Sequence, residues 1–158
     1  MNQQQFSALC RETCLDLEII DPDCLSNEGY CFVNETKIQL IFDELLSNDR
    51  ILCICEIGEI RNDMKEKIFE SLLMLNFLTG GKTTGVYAID PISQRASFVV
   101  TLINPDSLSA SSLADLLRCY SSRNSLLKKT LFKDGELRLP LDVENSGEIH
   151  HPKNFHLA

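Results

Sequence analysis

The run Asp63-Met64-Lys65-Glu66-Lys67-Ile68-Phe69-Glu70-Ser71-Leu72-Leu73-Met74-Leu75-Asn76-Phe77-Leu78-Thr79-Gly80-Gly81 opens as an amphipathic helix and closes apolar almost all round. Its charges, Lys65, Glu66, Lys67 and Glu70, crowd the first turns. At helical spacing Met64, Ile68, Leu72 and Leu75 form one stripe. Phe69, Leu73, Asn76 and Phe77 form a second, about a third of a turn away. A surface helix of a small domain needs one apolar stripe, about 100° wide. Two stripes call for two burial partners: the domain's own sheet and a second copy of the molecule. A dimer interface of Phe69, Leu73, Asn76 and Phe77 is therefore expected, and a binding function is sought before an enzymatic one.

Working outward, Gly80-Gly81 stops this helix, with one glycine in the left-handed position. Three short strands precede it. Tyr30 to Val33 is apolar throughout. Thr36 to Asp43 alternates, with Ile38, Leu40 and Phe42 opposite Lys37, Gln39, Ile41 and Asp43. Arg50 to Ile57 sets Ile51, Cys53, Cys55 and Ile57 against Leu52, Ile54 and Glu56, and Ser47-Asn48-Asp49 is read as the turn before it. Such short spacing favours antiparallel pairing, because a parallel crossover takes a dozen or more residues. Two strands follow the helix, Thr84 to Asp90 and Arg95 to Ile103, joined by Pro91-Ile92-Ser93-Gln94.

Helices bracket the whole. Residues 3–18 place Phe6, Leu9, Cys10, Thr13 and Leu17 on one face and leave Leu15 without a home. Leu113, Leu116, Leu117, Tyr120, Leu127 and Leu131 mark a last helix to about Lys129. The order helix–three strands–helix–two strands–helix defines an α+β domain over residues 1–132, an antiparallel twisted sheet with helices. Residues 133–158, with Pro140, Gly147, Pro152 and scattered acids, read as a flexible, loosely attached tail. Glu136 to Val143 could add one strand there.

The chain has 158 residues, 44% hydrophobic and 24% charged, enough for one domain with a proper core. A formal net charge of -8 argues against nucleic acid, whose phosphates need clustered Lys and Arg. No apolar run approaches the ~20 residues of a membrane span, so no membrane partner is expected. Met1-Asn2-Gln3-Gln4-Gln5 is polar and Phe6 to Ile20 carries Arg11, Glu12, Asp16 and Glu18, so no secretion leader is expected and seven cysteines read as reduced cytoplasmic thiols.

Catalytic chemistry finds little support. Gly81-Lys82-Thr83 resembles the end of a phosphate loop, but Asn76 stands where the earlier glycine belongs and the helix precedes the loop. Cys10, Cys14, Cys24 and Cys31 crowd the N-terminal fifth, yet only Cys10 and Cys14 have a spacing near that of paired zinc ligands; burial as small apolar residues is favoured. Cys53 and Cys55 read as core. His150, His151 and His156 lie in the tail, a poor place to hold a base. Asp21, Asp23, Asp43 and Glu44 sit in polar turns where nothing raises a carboxyl pKa. No catalytic residue, metal ligand or cofactor is expected. Instead Leu15, Ile41, Val99, Ile103 and the second helix stripe amount to apolar surface left over after folding, fit for an extended peptide added to a strand.

Leu72-Leu73-Met74-Leu75-Asn76, then Gly80-Gly81, then Val86-Tyr87-Ala88-Ile89-Asp90 and Ser97-Phe98-Val99-Val100-Thr101-Leu102 resemble the Leu-Asn helix end and following strand pair of class I type III secretion chaperones of the Tir-chaperone family. The resemblance covers about residues 5–130; the cysteines and the histidine-bearing tail depart from it. It implies a homodimer, or a heterodimer with a related chaperone, held largely by the central helix. It implies no cofactor, a bacterial cytosolic location, and capture of the N-terminal chaperone-binding segment of secreted effectors in extended form. The secretion ATPase is a further implied partner. Matching cargo-binding positions are Phe6, Leu9, Leu17, Ile41, Val99 and Ile103. Two other readings remain open at this point: a regulatory adaptor for a folded partner, and a small thiol- or zinc-dependent enzyme.

Overall fold

The protein is described here by a computed structural model covering residues 1–45, 47–80 and 85–134, apart from the side chains of residues 47, 133 and 134. Four helices, α1 (Gln3–Asp16), α2 (Cys24–Asn27), α3 (Lys65–Thr79) and α4 (Ala110–Asp134), accompany five strands. These are β1 (Tyr30–Val33), β2 (Thr36–Asp43), β3 (Ser47–Glu59), β4 (Gly85–Ile89) and β5 (Arg95–Ile103). All pairs are antiparallel, in the order β1-β2-β3-β5-β4. The α+β element order expected from the sequence holds, with the one-turn α2 added between α1 and β1.

One row of partners crosses the whole sheet on its inner side: Cys31, Ile38, Cys55, Phe98 and Tyr87, all buried. Leu40, Cys53 and Val100 form the next row, which ends at Gly85. A Cβ on Gly85 would stand 2.3 Å from the Phe98 ring and 2.7 Å from Val100, so only a glycine lets β4 close over them. Helices α1 and α4 cover this face. Three polar groups of α4 fix the docking: Asn124 donates to the Cys55 carbonyl at 2.9 Å, Ser121 donates to the Val33 carbonyl, and Arg118 donates to the Asp16 carbonyl at 2.6 Å, at the end of α1. Arg123 lays its guanidinium 3.7 Å from the Phe98 ring centre, a cation–π contact inside the subunit.

Helix α1 begins with a capping box. Asn2 accepts from the Gln5 N–H while the Gln5 side chain accepts from the Asn2 N–H, both at 2.8 Å. Its buried face, Phe6, Leu9, Cys10, Thr13 and Cys14, is the expected one continued by one residue, and Leu15 is exposed.

One local reading changes. Ser47-Asn48-Asp49 is not a turn but the start of β3, which runs back to pair Ser47 with Asp43. The Met1 ammonium binds the Asn48 carbonyl at 3.3 Å and the Asn104 N–H binds that of Asp49 at 2.9 Å, so distant segments supply partners that local turn propensity ignores. Gly80 follows α3 in extended backbone, φ -52 and ψ 122, so of the two glycines it is not the left-handed one, and Gly81 lies outside the described residues. Thr79 closes the helix by donating to the Leu75 carbonyl at 2.6 Å. Gly81-Lys82-Thr83, the possible strand at 136–143 and the three histidines lie outside the described residues, and α4 continues to Asp134.

Candidate interaction surfaces

Helix α3 lies along the edge strand β4 and divides its side chains as its two stripes require. Ile68, Leu72 and Leu75 enter the core together with Ser71. On the opposite flank Leu73 is 70% exposed and Phe77 86%, with Met74 and Leu78 beside them, while Phe69 is half-buried against the core. Asn76 is held inside the subunit. Its carboxamide accepts from the Tyr87 N–H at 2.7 Å and donates to the Tyr87 carbonyl at 2.9 Å. Of the four interface candidates, Leu73 and Phe77 thus stand open, Phe69 is partly covered, and Asn76 closes a sheet edge.

The outer face of the sheet has no helix over it among the described residues. A row opposite to the core row crosses all five strands: Tyr30, Gln39, Ile54, Val99 and Val86. Beside it Ile41 is 49% exposed and paired with Leu52, and Ile103 is 70% exposed. Towards the β4–β5 hairpin the face turns polar around a cavity of about 280 Å³, where Arg95 meets Glu56 at 2.9 Å and Glu59 at 3.5 Å. Val99 and Ile54 line its apolar wall.

Another concavity lies along β1, the other sheet edge. About 620 Å³ is bounded by Leu17, Ile19 and Ile20 from the segment after α1, by Cys24 and Glu28, by Tyr30 to Asn34, and by Arg118. Phe32 is 59% exposed there and Ile20 fully so. Arg11 pairs with Asp23 and braces the segment from outside.

Against this geometry the six cargo positions separate. Leu17 lines the β1 groove, and Ile41, Val99 and Ile103 lie on the outer sheet face. Phe6 and Leu9 do not offer open anchors: they are 5% and 8% exposed, Phe6 stacked 5.1 Å from Phe42. One apolar face on α1 cannot serve both the sheet beneath and a ligand outside. Sequence reading missed Ile19, Ile20, Tyr30 and Phe32 as groove residues. The signal was present: β1 is apolar on both faces, and Ile19-Ile20 is an apolar pair just before the Asp21-Pro22 turn.

Among the described residues no group of three or more His, Cys, Asp or Glu side chains is arranged to hold a metal ion, and no helix is long and apolar enough to cross a membrane.

No family model matches the sequence, and no curated protein does. Solved structures do. The chain resembles one from the crystal structure of the ExsC–ExsE complex, with a TM-score of 0.66 at 15% identity, over 82% of this chain and 95% of that one. It also aligns with a chain of the HopA1–SchA chaperone–effector complex, with a TM-score of 0.45 at 16% identity, over 76% and 95% of the two chains. The first likeness places the protein in the fold of the ExsC–ExsE chain, nearly end to end.

Proposed function

We propose that this protein is a type III secretion chaperone: a binding protein, not an enzyme, that holds the N-terminal segment of a secreted effector in extended form and keeps it soluble for export. The observation that carries this reading is the presence of two separate apolar surfaces on one small acidic domain. Leu73 and Phe77 on α3 form one; the β1 groove and the outer sheet face form the other. The first suits a second copy of the chain, and the second an extended segment. The fold shared with a chain solved in the ExsC–ExsE complex supports the reading.

The energetics agree. An extended segment gains ~1.5–3 kcal/mol for each large apolar side chain it buries. Several such anchors are needed to exceed the cost of ordering the segment. A groove at one end and an apolar sheet face beside it provide several sites without requiring a folded partner. The dimer doubles that length. A cytosolic location, and hand-over of the loaded complex to the secretion ATPase, belong to the same proposal, as does a heterodimer with a related chain as the variant assembly.

Co-expression with candidate effectors tests it. The expected product is a stable complex of two chaperone chains per effector, in which the bound effector segment is sensitive to protease once released. A protein that is monomeric at micromolar concentration and retains no effector would overturn the proposal.

A further inference from the structure

Cys10 and Cys14 on α1, Cys24 at the start of α2 and Cys31 on β1 come from three elements and converge behind the β1 groove. Cys14 Sγ stands 3.9 Å from Cys24 Sγ. Cys24 and Cys31 line the groove itself. We propose that Cys14 and Cys24 form a reversible disulfide when a peroxide enters the groove, and that this bond clasps the groove wall.

The topology makes the bond consequential. The loop closed by Cys14 and Cys24 contains Leu17 to Asp21, the wall of the groove opposite Phe32. Cys24 belongs to a four-residue helix between turns. The sulfurs must approach by about 2 Å to reach bonding distance, which rotation about the two Cα–Cβ bonds and a small shift of α2 can supply. Cys14 is itself buried, but its partner Cys24 is half-buried and borders the groove; the Cys53–Cys55 pair is closer, at 3.6 Å, but both of its thiols are buried and neither borders the groove. Side chains two apart on one strand stand parallel with their Cα atoms ~6.5 Å apart, a poor disulfide geometry.

The chemistry distinguishes the four thiols. Cys14 is drawn down to about 7, first by the hydrogen bond from Cys31 and then by the Leu25 N–H and the Cys24 thiol. Burial pushes Cys10 up to about 12 and Cys24 up to about 11, and the hydrogen bond to Cys14 raises Cys31 further. Of the four, Cys14 is the thiol most readily deprotonated, and the thiolate is the nucleophile. Its sulfur attacks one peroxide oxygen and the O–O bond breaks. Cys14 becomes a sulfenic acid, and the departing oxygen leaves as water with the proton that Cys14 had given up. The Cys24 sulfur then attacks the sulfenic sulfur, the S–O bond breaks, and the Cys24 proton leaves with that oxygen as a second water. Two thiols are oxidised by two electrons and one peroxide is reduced to two waters.

The test uses full-length reduced protein carrying Cys119→Ser, which removes the exposed thiol, titrated with hydrogen peroxide. Two thiols per chain should become unreactive to alkylation after denaturation, and mass spectrometry should place the link between residues 14 and 24. Cys24→Ser, at a half-buried position that tolerates the change, should abolish it. Dithiothreitol should restore both thiols. Hydrogen exchange of amides 17–23 should slow severalfold in the oxidised form and recover on reduction. All thiols remaining reactive, a link that persists in Cys24→Ser, unchanged exchange over 17–23, or stoichiometric zinc in the purified protein would each overturn the proposal.

Discussion

The carboxamide of Asn76 does for Tyr87 what a neighbouring strand would do: it accepts the N–H at 2.7 Å and donates to the C=O at 2.9 Å. β4 is an edge strand, and an edge presents unpaired backbone groups to any passing chain. Helix α3 closes that edge from within the subunit; β1, at the other end of the sheet, has no strand beside it among the described residues. The arrangement occupies Asn76 inside the subunit and leaves Leu73 and Phe77 exposed on the far flank of α3.

Asn76→Ala should remove both hydrogen bonds and leave the Tyr87 backbone unsatisfied in a half-buried setting. A loss of about 1–3 kcal/mol in denaturant-unfolding stability is expected. The variant should also aggregate faster on mild heating, because the edge reopens. An unchanged midpoint and aggregation rate would refute the clamp.

Leu73→Glu and Phe77→Glu should split the proposed dimer while sparing the fold, since both side chains are exposed. Sedimentation velocity should shift from dimer to monomer, with a change in unfolding stability of the subunit within about 0.5 kcal/mol. A large stability loss with an intact dimer would place the interface elsewhere.

Phe32→Asp in the β1 groove should weaken binding of an effector segment by at least about tenfold, the equivalent of losing one buried anchor of ~1.5–3 kcal/mol. Calorimetry against the isolated segment checks this, with Ile103→Asp separating a groove contribution from one by the outer face. Both variants should remain dimeric.

Gly85→Ala should cost about 1–3 kcal/mol, because the new methyl meets Phe98 and Val100 in a packed row. Thermal unfolding of Gly85→Ala beside Gly58→Ala ranks the two contacts. At Gly58 the nearest atom is the Phe132 ring at 3.3 Å, which can move, so the loss there should be smaller.

The rate of peroxide oxidation should rise with pH. Attack needs the deprotonated sulfur, and Cys14 titrates at about 7, below the ordinary thiol. Well below that value the thiolate fraction grows about tenfold per pH unit, and above it the rate should level off. Stopped-flow loss of free thiol over a pH series measures this; a rise that continues to the ordinary thiol range would assign the nucleophile to another cysteine.

Most of the fold could be read from local pattern. Alternation in Thr36–Asp43 and Arg95–Ile103 located strands and their inner faces, and short connections set the antiparallel pairing. The start of β3 could not be read this way, because Asn48 and Asp49 are held by Met1 and Asn104, far along the chain. The site was legible in part. Leu73, Phe77, Ile41 and Ile103 stood out as surplus apolar residues and are exposed. Phe6 and Leu9 carried the same apolar signal, yet they fill the core.

The sequence by itself determined periodicity: which residues share a face of α3, and that both faces are apolar, because 3.6-residue spacing is a property of the chain alone. Only the tertiary structure decided what each face meets. Asn76 bonds to an edge strand, Phe6 lies against Phe42, and Cys24 and Cys31 from two elements meet at one groove with Cys14 beside Cys24. Burial and proximity depend on how distant segments pack, and no local pattern encodes that.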